Sequence, residues 1–197
     1  MTQQLILNRC PHCRVDSPNL TVVAAFDTKD YSRHTQHWYC YGCAKCGGVV
    51  TVTGEPNDYI TEMYPSEIIV SEIIPKRAAS FLDQAINSLH APSGAIMLCN
   101  SSVDAMLKDK GFKKGTLYHR IEEAIKAHLI TKEMGRWAHE VRLDSNDERH
   151  ADDEADLPST EDAKKAVDFT LALAEFLFVL PARVERGLKE AEDKQAS

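Results

Sequence analysis

The sequence predicts an α+β protein in which a small N-terminal β module precedes an all-α helical bundle. Three observations point there. Two C-x-x-C pairs, Cys10-Pro-His-Cys13 and Cys43-Ala-Lys-Cys46, bracket a stretch rich in β-branched and aromatic residues. After Pro75 the apolar residues switch to spacings of three and four, the period of an amphipathic helix. Between the two lie the turn cluster Gly54-Glu-Pro-Asn-Asp58 and the breaks Tyr64-Pro65 and Ile74-Pro75, which no continuous helix tolerates. The expected boundaries are 1–56 for the β module, 57–75 for a linker and 76–197 for the bundle.

Strands are expected over Leu20–Phe26, Trp38–Tyr41 and Val49–Thr53. Pro75 suits the first turn of a helix whose apolar face is Ala78, Phe81, Leu82, Ala85, Ile86 and Leu89. Pro92 opens a second helix, with Ile96, Met97, Val103, Met106 and Leu107 on its apolar face and Gly111 as its stop. A third should begin near Thr116, with Leu117, Ile121, Ile125 and Leu129 on one stripe. A fourth should start at Thr131 and run through Trp137 and Val141 towards His150. The acids from Asp152 to Asp162 surround Leu157-Pro158 and predict an exposed loop ending in a Ser159 or Thr160 cap. The final helix, Glu161 to about Ala191, carries apolar residues on two faces: Val167, Leu171, Ala174 and Phe178, then Phe169, Leu173, Phe176 and Leu180. Such a helix is either central to the bundle or buried in a dimer.

With 197 residues, 43% of them hydrophobic and 27% charged, the chain can bury a real core. Its longest apolar stretch, Phe169–Leu180, is interrupted by Thr170 and Glu175 and falls short of the ~20 residues a bilayer span needs, so no membrane association is expected. The N-terminal residues lack a secretory pattern, and a reducing cytoplasm is the expected compartment. Residues 1–58 hold five basic and five acidic side chains, so the net charge of −7 falls on the remainder and repels nucleic acid on average. Lys108, Lys110, Lys113 and Lys114 around Gly111 form the one dense basic patch, and a solvated turn between helices is the ordinary expectation for it.

In a reducing compartment, paired C-x-x-C turns are metal ligands rather than disulfides. Each turn aims two sulfurs at one ion, which makes Cys10, Cys13, Cys43 and Cys46 a tetrahedral zinc site with no open position and therefore a structural role. Gly47-Gly48 lets the chain turn tightly past the second pair. Cys40-Tyr-Gly-Cys43 is an overlapping C-x-x-C and offers an alternative pairing. His12, His34 and His37 are candidate substitutes for a sulfur, although a histidine beside such a turn is more often a surface or supporting group. Cys99, alone on an apolar helical face, reads as a small buried hydrophobe.

The segment from Trp137 to Asp152 contains Val141-Arg142, Asn146, His150 and Asp152. It resembles the bacterial and phage domain of unknown function numbered 4145, whose signature there runs Ile-Arg-x-x-Gly-Asn-x-x-x-His-Asp, with Ser145 standing where that family has glycine. The resemblance extends to the cysteine pairs in front, the Pro-initiated helix and the aliphatic terminal helix. It implies a HEPN-like bundle, so named for the higher-eukaryote and prokaryote nucleotide-binding domain, many of whose members act as dimers in toxin and defence systems or as metal-independent endoribonucleases. It also singles out Arg142, Asn146 and His150. Histidine supplies a proton donor or acceptor near neutral pH, and arginine a planar cation for a pentavalent phosphate. On one helix the three would rise roughly 12 Å from end to end, too far for a single phosphate to span without a break or a dimer. The alternative is architectural: Arg142 pairs with an acid such as Asp104 while Asn146 and His150 bond across the bundle.

Three functions are therefore expected. The first is a non-catalytic, zinc-containing accessory of a bacterial or phage defence or restriction-type system, binding RNA, DNA or a protein and self-associating through its helices. The second is an endoribonuclease using Arg142 and His150. The third is a pure protein adaptor.

Overall fold

The computed structural model describes residues 5–55, 59–66, 68–140 and 157–195. The chain is α+β and divides into two compact units, Met1–Ile69 and Val70–Ser197.

The first unit is an antiparallel sheet of four strands in the order β1 (Leu20–Lys29), β2 (Thr35–Cys43), β3 (Val49–Glu55) and β4 (Tyr59–Tyr64). Side chains alternate between its faces. Leu20, Tyr41, Val50 and Val52 point into a small core that also takes in Leu5, Cys10 and Cys43. A bulge between Val22 and Ala24 shifts the β1–β2 register, so that Leu20 meets Cys43 at one end while Phe26 meets Trp38 further along. The β1–β2 hairpin closes over Asp30, whose carboxylate accepts from the His34 amide at 2.9 Å, with Arg33 in the left-handed region at φ 63°. β4 falls inside the stretch that the turn residues assigned to a linker. Its short Tyr-Ile-Thr-Glu-Met-Tyr alternation is flanked by the Pro-Asn-Asp cluster and Pro65, which mask it in sequence.

The second unit is helical. α1 (Lys76–Asn87) and α2 (Pro92–Asp109) pack together, and α5 (Thr160–Ala174) lies across both. α3 (Leu117–Lys126) joins α2, and α4 is helical from 132 to 140, where its described residues stop. α5 runs through a π-helical turn, Glu175–Val179, into α6 (Leu180–Gln195). α2 is central, burying Ala95, Ile96, Cys99, Val103, Met106 and Leu107. Ala78 and Ala85 on α1 have no exposure, and Ser102 donates to the Ala78 carbonyl at 2.8 Å where α1 and α2 touch.

Several helix ends show the expected chemistry. Thr116 and Thr131 cap α3 and α4, accepting from His119 and Met134 amides at 3.3 and 3.1 Å. Ser159 and Asp162 form a reciprocal capping box on α5. α2 ends in a Schellman turn: Gly111 takes φ 101° and Phe112 N–H bonds the Leu107 carbonyl. α3 ends the same way with His128 at φ 57°, and Leu129 N–H bonds the Ala124 carbonyl. Leu129, expected on the α3 stripe, therefore lies beyond the helix and packs on the core from the loop.

The two-faced terminal helix resolves into a buried half and an open half. Val167, Phe169, Leu173, Ala174, Leu177 and Phe178 are buried. Phe176 and Leu180 are 38% and 45% exposed, and Val184 and Leu188 continue their line along α6 at 54% and 61%. No helix among the described residues is long and apolar enough to cross a membrane.

Candidate metal centre

The four cysteines come from two turns that the β unit brings together. Cys10 and Cys13 sit in a turn in which the Arg14 amide bonds the Cys10 carbonyl at 2.9 Å, and Arg14 takes φ 59°. Cys43 ends β2, and the Gly47 amide bonds the Cys43 carbonyl at 2.8 Å to close the second turn. Gly47 has φ 71°, a conformation that disfavours any side chain. Gly48 is required for a different reason: a Cβ there would lie 2.5 Å from the His12 ring. That ring bonds the Val49 carbonyl through Nε2 at 2.8 Å and ties the first turn to β3. His12 thus supports the cluster and contributes no ligand to it.

The sulfurs of Cys10, Cys13, Cys43 and Cys46 all lie within 4.8 Å of one another, and those of Cys10 and Cys46 are 4.0 Å apart. A tetrahedral ion with metal–sulfur bonds of ~2.3 Å requires sulfur–sulfur edges of roughly 3.8 Å, so the cluster is close to the size needed. Burial pushes Cys10, Cys13 and Cys46 up from the ordinary thiol value. Burial also acts on Cys43, but the Cys46 and Lys45 amides and the Cys10 and Cys46 sulfurs outweigh it and bring that thiol down to about 7. Cys40 is outside the cluster; its sulfur lies 3.5 Å from the Thr51 hydroxyl. His34 and His37 are engaged by Asp30 and Asp27 at 3.0 and 2.6 Å.

Cys99 has no exposure, and burial raises its thiol to about 12, which keeps it protonated and inert as a nucleophile. In the helical unit Asp104, the acid expected to face Arg142, is held by Arg120 Nη1 and Lys108 Nζ, each at 2.5 Å. Arg120 was not singled out in the sequence. Its position on the α3 stripe beside Ile121 and Ala124 is the only signal that it is buried. Arg142, Asn146 and His150 lie outside the described residues.

A family model, Domain of unknown function (DUF4145), matches residues 71–191, more than half of the chain. The chain belongs to the DUF4145 family. The DUF4145 match takes in α1 to α5, the π-helical turn and most of α6, and it begins after the last of the clustered cysteines. The sheet unit with its four thiols lies in front of the matched region. No curated protein and no solved structure is significantly similar to the chain.

Proposed function

We propose that this DUF4145 protein is a non-catalytic, zinc-containing accessory that binds single-stranded nucleic acid, in a bacterial or phage defence or restriction-type system of the cytoplasm. The observation that carries the proposal is a strip of aromatic rings on the outer face of the sheet. Because β2 alternates, Tyr39, Tyr41 and Cys43 face the core, and Trp38 and Cys40 face outward. Phe26 on β1 stacks on Trp38 at 6.4 Å with the rings 12° from parallel, and Tyr64 on β4 closes the row at 6.2 Å from Trp38. Phe26 and Tyr64 are 49% and 55% exposed.

Rings of this kind exposed on a rigid sheet offer π-faces to unstacked bases, each stack contributing about 1–3 kcal/mol with little regard to sequence. The carboxylates near the strip are engaged: Asp27 binds His37, and Glu62 accepts from the Tyr64 hydroxyl at 3.1 Å. Stacking rather than phosphate attraction then dominates, and binding should depend only weakly on salt. Zinc on the four thiolates would fix the end of β2 next to this strip. Its chemistry there is structural, since all four positions of the ion are taken by the protein. The HEPN-like character of the bundle and its self-association belong to the same proposal. The apolar line Phe176, Leu180, Val184 and Leu188 supplies a face for a second copy.

The test is the intrinsic fluorescence of Trp38 in a Trp137→Phe background, titrated with a mixed-sequence single-stranded oligonucleotide in EDTA-free buffer at two salt concentrations. Quenching that weakens about tenfold or more in Phe26→Leu or Tyr64→Leu, with zinc content unchanged, is the expected result. Unquenched fluorescence would move the strip to a protein partner and favour an adaptor. Labelled RNA in EDTA should remain intact. Cleavage that disappears in His150→Ala at an unchanged melting temperature would replace the proposal with an endoribonuclease using Arg142, Asn146 and His150.

A further inference from the structure

The two edges of the sheet are not alike. β4 is six residues long and carries Glu62 in its middle, and a charge on a short strand discourages further pairing. β1 is ten residues long, and from Thr21 to Phe26 it has neither a charge nor a proline. It stands at the end of the strand order, and among the described residues its backbone bonds only to β2. Its residues are exposed from Val23 to Lys29, Val23 and Phe26 by 60% and 49%.

The hairpin fixes which backbone groups face the open side. The Asp30 amide bonds the His34 carbonyl at 3.2 Å. Hydrogen-bonded and non-bonded pairs alternate along an antiparallel ladder. From that bonded pair the register runs back through Lys29↔Thr35, so Thr28, Phe26 and Ala24 bond to β2, whereas Ala25, Asp27 and Lys29 turn their amides and carbonyls outward. The far side of β2 agrees: the His37 carbonyl, opposite Asp27, accepts from the Thr53 hydroxyl of β3 at 2.8 Å. The bulge between Val22 and Ala24 ends the regular stretch, which leaves an open edge from Ala24 to Lys29.

An outward row of amides and carbonyls is matched by another extended strand. Three antiparallel registers bring this edge against itself about a two-fold axis. Centring on Asp27 sets two like carboxylates opposite each other, which opposes association. Centring on Ala25 leaves Asp27 to pair with the bulged Val23. Centring on Phe26 sets Ala25 against Asp27 of the second copy and Asp27 against its Ala25, both inside the regular stretch. It also sets Phe26 against Phe26 in a non-bonded pair, where cross-strand side chains are closest and an aromatic pair is stabilising.

We propose that the β1 edge pairs with the β1 edge of a second copy of this chain, antiparallel and centred on Phe26, to form one continuous sheet. The row of Tyr64, Trp38 and Phe26 then continues across the axis into the same rings of the second copy. This contact is separate from the α6 line and does not rest on nucleic-acid binding. A pairing this short is weak, so it forms at high protein concentration or where two copies are held side by side.

The experiment uses the full chain with its metal, carrying Val184→Glu and Leu188→Lys to take the α6 line out of play. Translational diffusion and residue-specific amide exchange are followed by nuclear magnetic resonance from low-micromolar to near-millimolar protein. Diffusion should fall to that of a dimer as concentration rises. The Ala25 and Asp27 amides should slow by about tenfold or more, while those of Phe26 and Thr28 stay slow throughout. Ala25→Pro removes one outward amide without touching a β1–β2 bond, and Ala25→Lys places a charge on the edge. Each should hold the chain monomeric at every concentration with its zinc content unchanged. Ala25 is exposed, so the lysine variant stays informative even where the proline variant fails to fold. Monomeric diffusion at the highest concentration overturns the proposal, as does a dimer that Ala25→Lys leaves intact. Slow exchange at Ala25 and Asp27 that is independent of concentration would put a segment of the same chain on the edge and overturn it too. Neither substitution alters a ring of the strip, so the quenching of Trp38 by an oligonucleotide is read apart from this result, and either can fail alone.

Discussion

At the scale of single residues, strand alternation sorts the cysteines. Cys40 and Cys43 lie in the same overlapping C-x-x-C, yet β2 turns Cys40 outward to Thr51 and delivers Cys43 to the cluster. Cys46→Ser should therefore release the metal, while Cys40→Ser should keep the full zinc content, measured by atomic emission after desalting. Metal loss in Cys40→Ser would mean that the sulfur set differs from the one described. His12 and Gly48 form a second residue-scale pair, because the ring occupies the space a Cβ would need. Sequence suggested that Gly47-Gly48 marks a tight turn, and the positive φ of Gly47 agrees. It did not show that Gly48 is a matter of contact with a ring far away in the chain. Arg120 was equally hidden, since a lone arginine on an apolar stripe looks the same in sequence whether it snorkels to water or pairs inside. Replacing it with Met leaves Asp104 half-paired and should cost about 1–3 kcal/mol in urea unfolding, discounted from the fully buried case because Asp104 is partly exposed. An unchanged midpoint would show that Lys108 alone satisfies Asp104.

At the scale of elements, caps and periodicities were readable because they depend on neighbours in the chain. Thr116, Thr131, Ser159 and Gly111 mark helix ends where local hydrogen bonds demand them. β4 was missed because its partner β3, not its own composition, makes it a strand. The terminal helix was ambiguous for a related reason. Apolar residues on two faces fit either a central helix or a paired one, and the structure divides the stripe, burying it along α5 and leaving it open along α6. If the open line is a self-association face, Val184→Glu with Leu188→Lys should convert an oligomer to a monomer in sedimentation while keeping the helical circular dichroism. Wild type sedimenting as a monomer would remove self-association from the proposal.

At the scale of the whole molecule, the two units have separate cores: one of Leu20, Tyr41, Val50 and Val52 with two of the cysteines, the other centred on α2. The sheet core is small, and a bound ion is the natural supplement to it. Chelation at neutral pH should accordingly abolish the near-ultraviolet signal of the sheet aromatics and leave the helical signal at 222 nm. Simultaneous loss of both would show that the units do not unfold independently. The sequence by itself determined the class of the fold, the four cysteines that converge, and where the helices start, because those follow from period, spacing and local capping. Only the tertiary structure decided which sulfur stays outside, which rings line up across β1, β2 and β4, and which cations hold Asp104. Each of these depends on strand register or helix packing between residues distant in sequence, and a one-residue shift in register or a change of helix face would have produced a different surface from the same chain.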